Sequence, residues 1–235
     1  DFLAEDEQDA ISIARDVVKT LKPAKPYAAP HKPVVPPRYS ADELLGIVPA
    51  NLKKAIDIRE VLIRIVDNSE FTEFKTNYGI TMVCCWANIN GYPVGIIANN
   101  GVIFAESAQK ATQFIQLANK SNTPLLFVHN TTGFMVGKQY EQKGMINSGA
   151  QLIHAVSGST VPHISLLIGN SYGAGNYAMC GRSFQPRFLF SLNLFLHRAQ
   201  QEKKWTTYNG YTVQTEQIYF YTLCSSSKLS GDSSE

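Results

Sequence analysis

The sequence has little net charge, few cysteines and no long apolar run. Its 21 Lys and Arg against 19 Asp and Glu leave a formal net charge of +2, which favours neither nucleic acid nor an acidic membrane as partner. No apolar run reaches the roughly 18 residues that a membrane-spanning helix needs. The four cysteines lack metal-ligand spacing, and Cys84 and Cys85 are adjacent, which rarely allows a relaxed disulfide. We therefore expect a globular protein of a reducing compartment, without nucleic acid, membrane or metal ion as partner.

Proline marks a boundary near the start of the chain. Six of the eleven prolines lie in residues 22–39, a density that excludes regular helix and sheet and favours an extended polyproline II linker. Residues 5–21, before the linker, predict an amphipathic helix that needs a partner surface. The acidic start is not a targeting segment and is typical of a cut inside a longer protein. We predict a domain boundary near residue 39.

Residues 40–190 alternate strand and helix patterns. Residues 81–99 predict a β-hairpin with its turn at Asn90 and Gly91, because two strand-like runs flank an Asn-Gly pair. An amphipathic helix over residues 106–120 follows. The full order is strand, strand, helix, strand, helix, strand, helix. This order is typical of an α/β fold with largely parallel strands.

Two later strands end in similar loops. Residues 124–130 and 162–168 are short, apolar and buried in pattern. Each leads into a polar, glycine-containing loop that opens a helix, "HNTTGFMVG" (129–137) and "GNSYGAG" (169–175). We expect the two strands to lie side by side, so that both loops face one pocket at the strand ends, where ligands bind in such folds.

The two loops contain no Asp, Glu, Lys, Arg or Cys. A charged acid or base, or a metal cage, within the loops is therefore disfavoured. The backbone remains, because helix starts have free N–H groups, and two such groups from different segments form an oxyanion hole. The alternative is that the glycines only serve tight strand-to-helix connections, and spacing alone favours it.

Residues 169–173 also match the G-x-S-x-G pattern, with Ser171 as the candidate nucleophile. A hydrolase elbow needs a downstream acid and histidine, and the only histidine after Ser171 is His197. His129 lies before the first loop, and a single histidine at a strand end is more often a hydrogen-bonded structural residue. We expect no nucleophilic role for Ser171, and little effect of Ser171→Ala.

Several long segments, residues 41–75, 91–144 and 169–190, resemble the carboxyltransferase (β) subunits of methylcrotonoyl-CoA carboxylases. These enzymes belong to the biotin-dependent acyl-CoA carboxylases. The wording of "NTTGFMVGKQYEQKG" and "GNSYGAGNYAMCG" carries much of the resemblance, which covers roughly residues 1–190. It is specific because long segments match in order.

The resemblance implies a fold and a domain division. Subunits of this family carry two crotonase-like domains, each a spiral of strand-strand-helix units. Residues 1–39 are expected to hold the last helix of the first domain and the linker, and residues 40–190 an incomplete C-terminal carboxyltransferase domain. Residues 191–235 depart from the family pattern and form an atypical tail that we expect to pack poorly.

The resemblance also implies an activity. Carboxybiotin, carried by a partner α subunit of an ATP-dependent complex, would give its carboxyl group to 3-methylcrotonoyl-CoA during leucine degradation in the mitochondrial matrix. The β subunits would form a homo-oligomer, without biotin bound covalently to this chain. Two alternatives remain open. One is a carboxylase of the propionyl-CoA type, and the other is a truncated, non-catalytic fragment that at most binds partner subunits.

Site residues follow from the same resemblance, because the second-domain loops of the family face biotin. Catalytic roles through the backbone are expected for Phe134, Gly173, Ala174 and Gly175. A bulky side chain at Ala174 or Gly175 is expected to occupy the space of the biotin ring. The residues expected to contact biotin are Thr132, Gly133, Phe134, Met135, Val136, Gly137 and Tyr172.

Overall fold

The structure is a computed structural model, and it describes residues 4–20, 32–47, 56–191, 206–208 and 211–213. The chain divides into two compact units, residues 1–194 and 195–235. In the described part of the chain, no helix is long and apolar enough to cross a bilayer.

The first unit contains one six-stranded sheet whose strands follow one another in sequence order. The strands are β1 (Phe71–Phe74), β2 (Met82–Ile89), β3 (Tyr92–Asn99), β4 (Leu125–Thr131), β5 (His163–Ser171) and β6 (Phe188–Ser191). The helices are α1 (Glu7–Thr20), α2 (Leu44–Ile47), α3 (Ile58–Leu62), α4 (Ala105–Lys120), α5 (Lys138–Gln142), α6 (Met145–Ser157) and α7 (Gly173–Ala178). β1, β2 and β3 pair antiparallel, and β3 to β6 pair parallel. The predicted α/β class with largely parallel pairing is confirmed.

The predicted hairpin and the helix after it are confirmed. Asn90 and Gly91 join β2 to β3 with φ values of 51° and 77°, the left-handed pair that a type I′ turn requires. The Asp67 carboxylate accepts hydrogen bonds from both turn amides, at 2.8 and 2.6 Å. The predicted helix corresponds to α4, which starts one residue before the predicted residue 106.

Both faces of the sheet carry apolar clusters, because side chains alternate along each strand. In β4, Phe127 packs into the cluster that includes Phe114 of α4 and Leu152 of α6. Its neighbours Leu126 and Val128 pack on the other face, in a cluster that includes α3. A strand buried on both faces reads as a continuous apolar run, as the sequence of β4 does.

β4 and β5 are neighbours, as predicted. Leu125 pairs with His163, and the register holds up to His129 opposite Leu167. Beyond that point it shifts by two residues, so that Thr131 pairs with Ser171. The carboxyl ends of the two strands therefore meet at a local irregularity of the ladder.

The proline-rich linker is described only from Lys32 onward. Residues 32–39 form neither helix nor strand and bend at Lys32, Arg38 and Tyr39, and three backbone groups bond to the core. The extended polyproline II conformation stays a prediction. The Lys32 N–H donates to the Gly91 carbonyl, the Val35 carbonyl accepts from Asn68, and the Arg38 N–H donates to the Ser69 hydroxyl. The boundary near residue 39 stays a prediction.

The second unit is described at two short strands. β7 (Thr206–Tyr208) and β8 (Tyr211–Val213) pair antiparallel. The prediction that residues 191–235 pack poorly otherwise falls outside the described residues. Ser191 itself belongs to β6, so the sheet extends across the predicted end of the domain at residue 190.

Candidate functional site

Two segments meet at the carboxyl ends of β4 and β5. The β4 loop (residues 132–137) follows β4, and the β5 turn (residues 171–175) joins the end of β5 to α7. Their strands are parallel neighbours, so both segments emerge at the same edge of the sheet. The predicted adjacency of the two glycine-containing loops is confirmed, whereas a pocket shared by them stays a prediction.

A contact between two glycines joins the β4 loop to the β5 turn. A Cβ placed on Gly175 would lie 2.8 Å from the Gly133 Cα and 3.2 Å from the Thr131 Cγ2. Gly133 has a φ of 130°, which side chains rarely permit. The Thr131 hydroxyl accepts a hydrogen bond from the Gly133 N–H at 3.1 Å, which holds the loop in this path. Backbone packs directly against backbone here.

Free backbone donors lie on both sides of this contact. In α7 the first N–H bonded within the helix is that of Asn176, to the Tyr172 carbonyl, and no side chain caps the helix start. The N–H groups of Gly173, Ala174 and Gly175 precede it. In the β4 loop, the amides of Gly133 and Met135 are bonded. The Phe134 amide between them has no acceptor among the described residues.

The predicted site residues differ in exposure. Gly173, Ala174, Thr132 and Gly137 are exposed, whereas Gly175 is buried. Val136 and Tyr172 leave large apolar surfaces in solvent, with 77% and 53% of their areas exposed. Most of the residues predicted to contact biotin are therefore exposed to solvent.

Phe134 and Met135 direct their side chains into the protein. Both pack against the apolar cluster of α4 and α6, and the Phe134 ring lies over Gly149 of α6. Any role of Phe134 at the surface must therefore use its backbone N–H, as predicted.

The space beside Gly175 corrects one expectation. We expected a Cβ there to occupy the space of a ligand ring, but that space holds the Gly133 backbone. Gly169 behaves in the same way, since a Cβ on it would collide with the Asn130 side chain. These two glycines bring neighbouring segments of the chain together.

Sequence reasoning missed the contact between His129 and Ser171. The His129 Nδ1 lies 2.8 Å from the Ser171 Oγ, and the Asn176 Nδ2 donates to that same Oγ at 2.8 Å. His129 is fully buried and Ser171 is 7% exposed. His129 was expected to be a hydrogen-bonded structural residue, and this is confirmed, but Ser171 of the neighbouring strand was not predicted to be its partner. The adjacency predicted for the two strands was the available signal.

This pair does not have the properties of a catalytic dyad. Burial lowers the pKa of His129 to about 3, although an interaction with the Met179 backbone partly raises it. The imidazole is therefore a poor general base at neutral pH. The Met179 backbone interacts with the imidazole, but among the described residues the Nε2 forms no hydrogen bond of normal geometry, and no carboxylate orients the ring. Ser171 also lacks a positive φ, whereas a nucleophile elbow is a strained turn.

A groove of about 760 Å³ lies elsewhere, between α1, the linker and the first three strands. None of the predicted site residues lines it. Its lining includes the carboxylates of Asp16, Asp67, Glu70 and Glu73 and the ammonium group of Lys32. Within the described ranges, no group of three or more His, Cys, Asp or Glu is arranged to hold a metal ion.

The carboxyl transferase domain family matches residues 1–194. The chain is 60% identical over 192 residues to the probable biotin-dependent acyl-coenzyme A carboxylase beta2 subunit of Mycobacterium tuberculosis, covering 81% of this chain and 36% of that protein. It is 50% identical over 190 residues to the mitochondrial methylcrotonoyl-CoA carboxylase beta chain of Dictyostelium discoideum, covering 81% of this chain and 32% of that protein. The chain thus spans about a third of the length of these relatives.

The solved structures agree with the sequence relatives. The transcarboxylase 12S subunit, solved as a hexamer with hydrolysed methylmalonyl-coenzyme A, matches with a TM-score of 0.73 and 32% identity, over 81% of this chain and 38% of that one. The predicted crotonase-like fold class is confirmed by this likeness. The chain belongs to the carboxyl transferase domain family, the domain of the β subunits of biotin-dependent acyl-CoA carboxylases.

Proposed function

We propose that this chain is part of a carboxyltransferase that moves a carboxyl group from carboxybiotin to 3-methylcrotonoyl-CoA, a step of leucine degradation. The contact between Gly133 and Gly175 carries the proposal. It brings uncapped N–H groups from two segments to one uncharged edge of the sheet. Because the chain spans about a third of its relatives, the activity is proposed for the assembled enzyme that contains it.

The proposed catalytic groups are backbone amides. The Phe134 N–H and the N–H groups of Gly173, Ala174 and Gly175 bind an oxygen atom that gains negative charge during transfer. Helix starts favour negative charge through the aligned peptide dipoles. The loops lack carboxylates that would compete for these donors. Carboxybiotin, when bound, supplies the carboxyl group.

The rest of the β4 loop and the start of α7 are proposed to contact biotin. The exposed apolar surfaces of Val136 and Tyr172 suit the face and edge of a small ring. Gly175 has a second role besides its N–H group, because its missing side chain keeps the two segments in contact. The remaining proposed contacts are Thr132, Gly133, Met135 and Gly137.

The proposed partners follow from the names of the relatives. They are a biotin-carrying α subunit, further copies of the β subunit, and an acyl-CoA. A homo-oligomer is supported by the hexamer named for the 12S subunit. The mitochondrial matrix is proposed because the Dictyostelium relative is named as mitochondrial, while the bacterial relative lends no support to that compartment.

The acyl group is the finer part of the proposal. The name of the Dictyostelium relative supports methylcrotonoyl-CoA, and so does the wording "NTTGF" at residues 130–134, where a propionyl-CoA type would be expected to read Asp-Thr-Pro-Gly-Phe. The mycobacterial relative's name leaves the acyl group open. A propionyl-CoA carboxylase is therefore the second candidate.

The test is ATP-dependent fixation of labelled bicarbonate by the enzyme assembled with its biotin-carrying subunit. 3-Methylcrotonoyl-CoA and propionyl-CoA are supplied in separate reactions, and kcat/KM is compared. We expect kcat/KM to be at least about tenfold higher for methylcrotonoyl-CoA, the discrimination that one or two methyl groups provide in an apolar pocket. A higher kcat/KM for propionyl-CoA would make propionyl-CoA the proposed substrate. Fixation with neither acyl-CoA would favour the alternative that the chain is a non-catalytic fragment.

A further inference from the structure

Three polar side chains form a cluster at the carboxyl ends of β4 and β5, with His129 and Ser171 buried and Asn176 partly buried. His129 ends the regular part of β4, Ser171 ends β5, and Asn176 lies in α7. Ser171 is the centre, because its Oγ contacts the His129 Nδ1 and receives the Asn176 Nδ2, each at 2.8 Å. The cluster thus connects three elements through one oxygen atom.

Counting hydrogen atoms assigns the direction of each bond. The Ser171 hydroxyl has one proton to donate, and the Asn176 amide donates to its oxygen. If the hydroxyl donates to the His129 Nδ1, one buried group, the Nε2–H, lacks a partner. If instead the Nδ1–H donates to Ser171, both the Nε2 and the hydroxyl proton lack partners among the described residues. The first arrangement leaves fewer buried groups unsatisfied.

The cluster lies where the backbone ladder gives less support. Between His129 and Thr131 the register of β4 against β5 shifts by two residues. Past this shift the chain turns at Tyr172 into a short helix that no side chain caps. Two side-chain bonds to Ser171 therefore hold the turn at the point where regular strand pairing is interrupted.

We propose that His129, Ser171 and Asn176 are positioning residues that fix the β5 turn and the direction of the first N–H groups of α7. His129 serves as a neutral acceptor, and Asn176 ties the helix back to the strand end. None of the three reacts. The effect on carboxyl transfer rests on the proposed function, whereas the effect on the position of α7 does not.

The test compares three variants with a matched control. Ser171→Ala removes the centre, and His129→Leu removes the acceptor. His129→Asn keeps an oxygen acceptor close to the position of Nδ1. The control is Ser165→Ala, because Ser165 is also a buried serine of β5 and donates to the Cys180 carbonyl at 2.6 Å. Thermal unfolding is measured for every variant, so that the effects of each substitution can be compared at a known loss of stability.

Two readouts are measured for each variant. The first is hydrogen exchange at the Asn176 and Met179 amides, which bond within α7. The second is kcat and the KM for the acyl-CoA in the assembled enzyme. The contacts of Ser171 with His129 and Asn176 replace the small effect that the sequence alone suggested for Ser171→Ala. We expect Ser171→Ala and His129→Leu to speed exchange and to lower kcat by about ten- to a hundredfold with KM little changed, as for a displaced catalytic group. His129→Asn should recover most of both, and Ser165→Ala should change neither.

The outcomes separate this proposal from the proposed function. Faster exchange in Ser171→Ala and His129→Leu would support the positioning role. If the wild-type enzyme shows no carboxyl transfer in the same experiment, the proposed activity is rejected while the positioning role stands. Unchanged exchange in Ser171→Ala would overturn the positioning role. A loss of kcat approaching 10⁶-fold with normal exchange would also overturn it, because that loss is typical of a nucleophile.

Discussion

The carboxyl ends of β4 and β5 are joined without charge, whereas the β1 edge of the same sheet is joined by ion pairs. At the strand ends, the Gly175 backbone packs on the Gly133 backbone. At the edge, the Arg59 guanidinium binds the Glu73 carboxylate through two hydrogen bonds of 2.9 and 2.8 Å. The Lys110 Nζ lies 3.6 Å from the same carboxylate, with its side chain fully buried. One region depends on the absence of a methyl group, and the other on balanced charges.

The difference indicates what each region can do. A buried carboxylate beside the free amides of α7 would occupy the donors that the proposed site needs, so neutral contacts suit that end. The edge has no such requirement. A buried charge there is tolerated only while its partners remain, because removing one leaves the others unsatisfied.

The largest expected effect comes from adding one methyl group at the neutral end. Gly175→Ala places a Cβ 2.8 Å from the Gly133 Cα, so the β4 loop and the β5 turn must separate. We expect carboxyl transfer by the assembled enzyme to fall by about 10²-fold or more, the typical cost of losing one oxyanion donor. Steady-state kinetics measure the loss.

Gly46→Ala is the matched control for this variant. Gly46 also lies in a helix, but a Cβ there meets nothing within 4 Å. Both substitutions gain about the same helix propensity, roughly 1 kcal/mol. Equal activities of the two variants would show that the contact between the glycines does not matter for transfer.

The sequence predicted the neutral end better than the charged edge. The glycine loops, their strands and the adjacency of these strands followed from apolar runs and turn residues, which are local signals. The shift of register between His129 and Thr131 could not be predicted, because it depends on two strands about 40 residues apart. The contact of His129 with Ser171 was hidden for the same reason.

The ion pairs of the charged edge were not predicted, although the helix that carries Lys110 was. The edge strand β1 is four half-buried residues long and shows no alternation, so periodicity gives no signal. Glu73 meets Arg59 and Lys110 from two different helices, and a sequence without relatives does not specify such pairs. β6 was missed likewise, because it is only four residues long.

The second prediction breaks the charge balance at that edge. Glu73→Gln keeps the size of the side chain but leaves Lys110 without its counter-charge, while burial already lowers the pKa of that lysine. We expect the free energy of unfolding to fall by about 3 kcal/mol, measured by urea denaturation. Arg59 contributes less to this loss, because in the variant its guanidinium remains partly exposed to solvent and still pairs with the Asp57 carboxylate at 3.3 Å.

A second substitution sharpens this test. Lys110→Met removes the buried ammonium group and keeps an apolar chain of similar length. The double variant Glu73→Gln/Lys110→Met should lose at least about 1 kcal/mol less free energy of unfolding than the sum of the two single losses. Neighbouring groups in one network couple by roughly that amount. Strictly additive losses would contradict an electrostatic link between the two residues.

The third prediction uses pH at the neutral end. The pKa of His129 is lowered by burial from 6.5 to about 3, so between these values the unfolded chain binds a proton that the folded chain does not. Its contribution to stability is complete above pH 6.5 and is lost as the pH falls toward 3. Each pH unit in this window costs about 1.4 kcal/mol.

His129→Asn removes this titration. We expect the free energy of unfolding of the variant to depend less steeply on pH, by about 1.4 kcal/mol per unit, when urea denaturation is compared between about pH 4.5 and 6.5. His163, whose pKa burial also lowers, is present in both proteins and cancels in the comparison. Parallel pH profiles would mean that water reaches the His129 imidazole in the folded protein.

The smallest expected effect comes from an ion pair at the surface. Arg38 of the linker bonds to Glu70 at 2.7 Å, but the two side chains are 61% and 66% exposed. Arg38→Ala should therefore lower the free energy of unfolding by less than about 1 kcal/mol, and added salt should reduce the difference further. The linker keeps its backbone bond to the Ser69 hydroxyl in this variant. A loss as large as that of Glu73→Gln would mean that exposure does not separate the two ion pairs, and the linker would then be a structural part of the sheet edge.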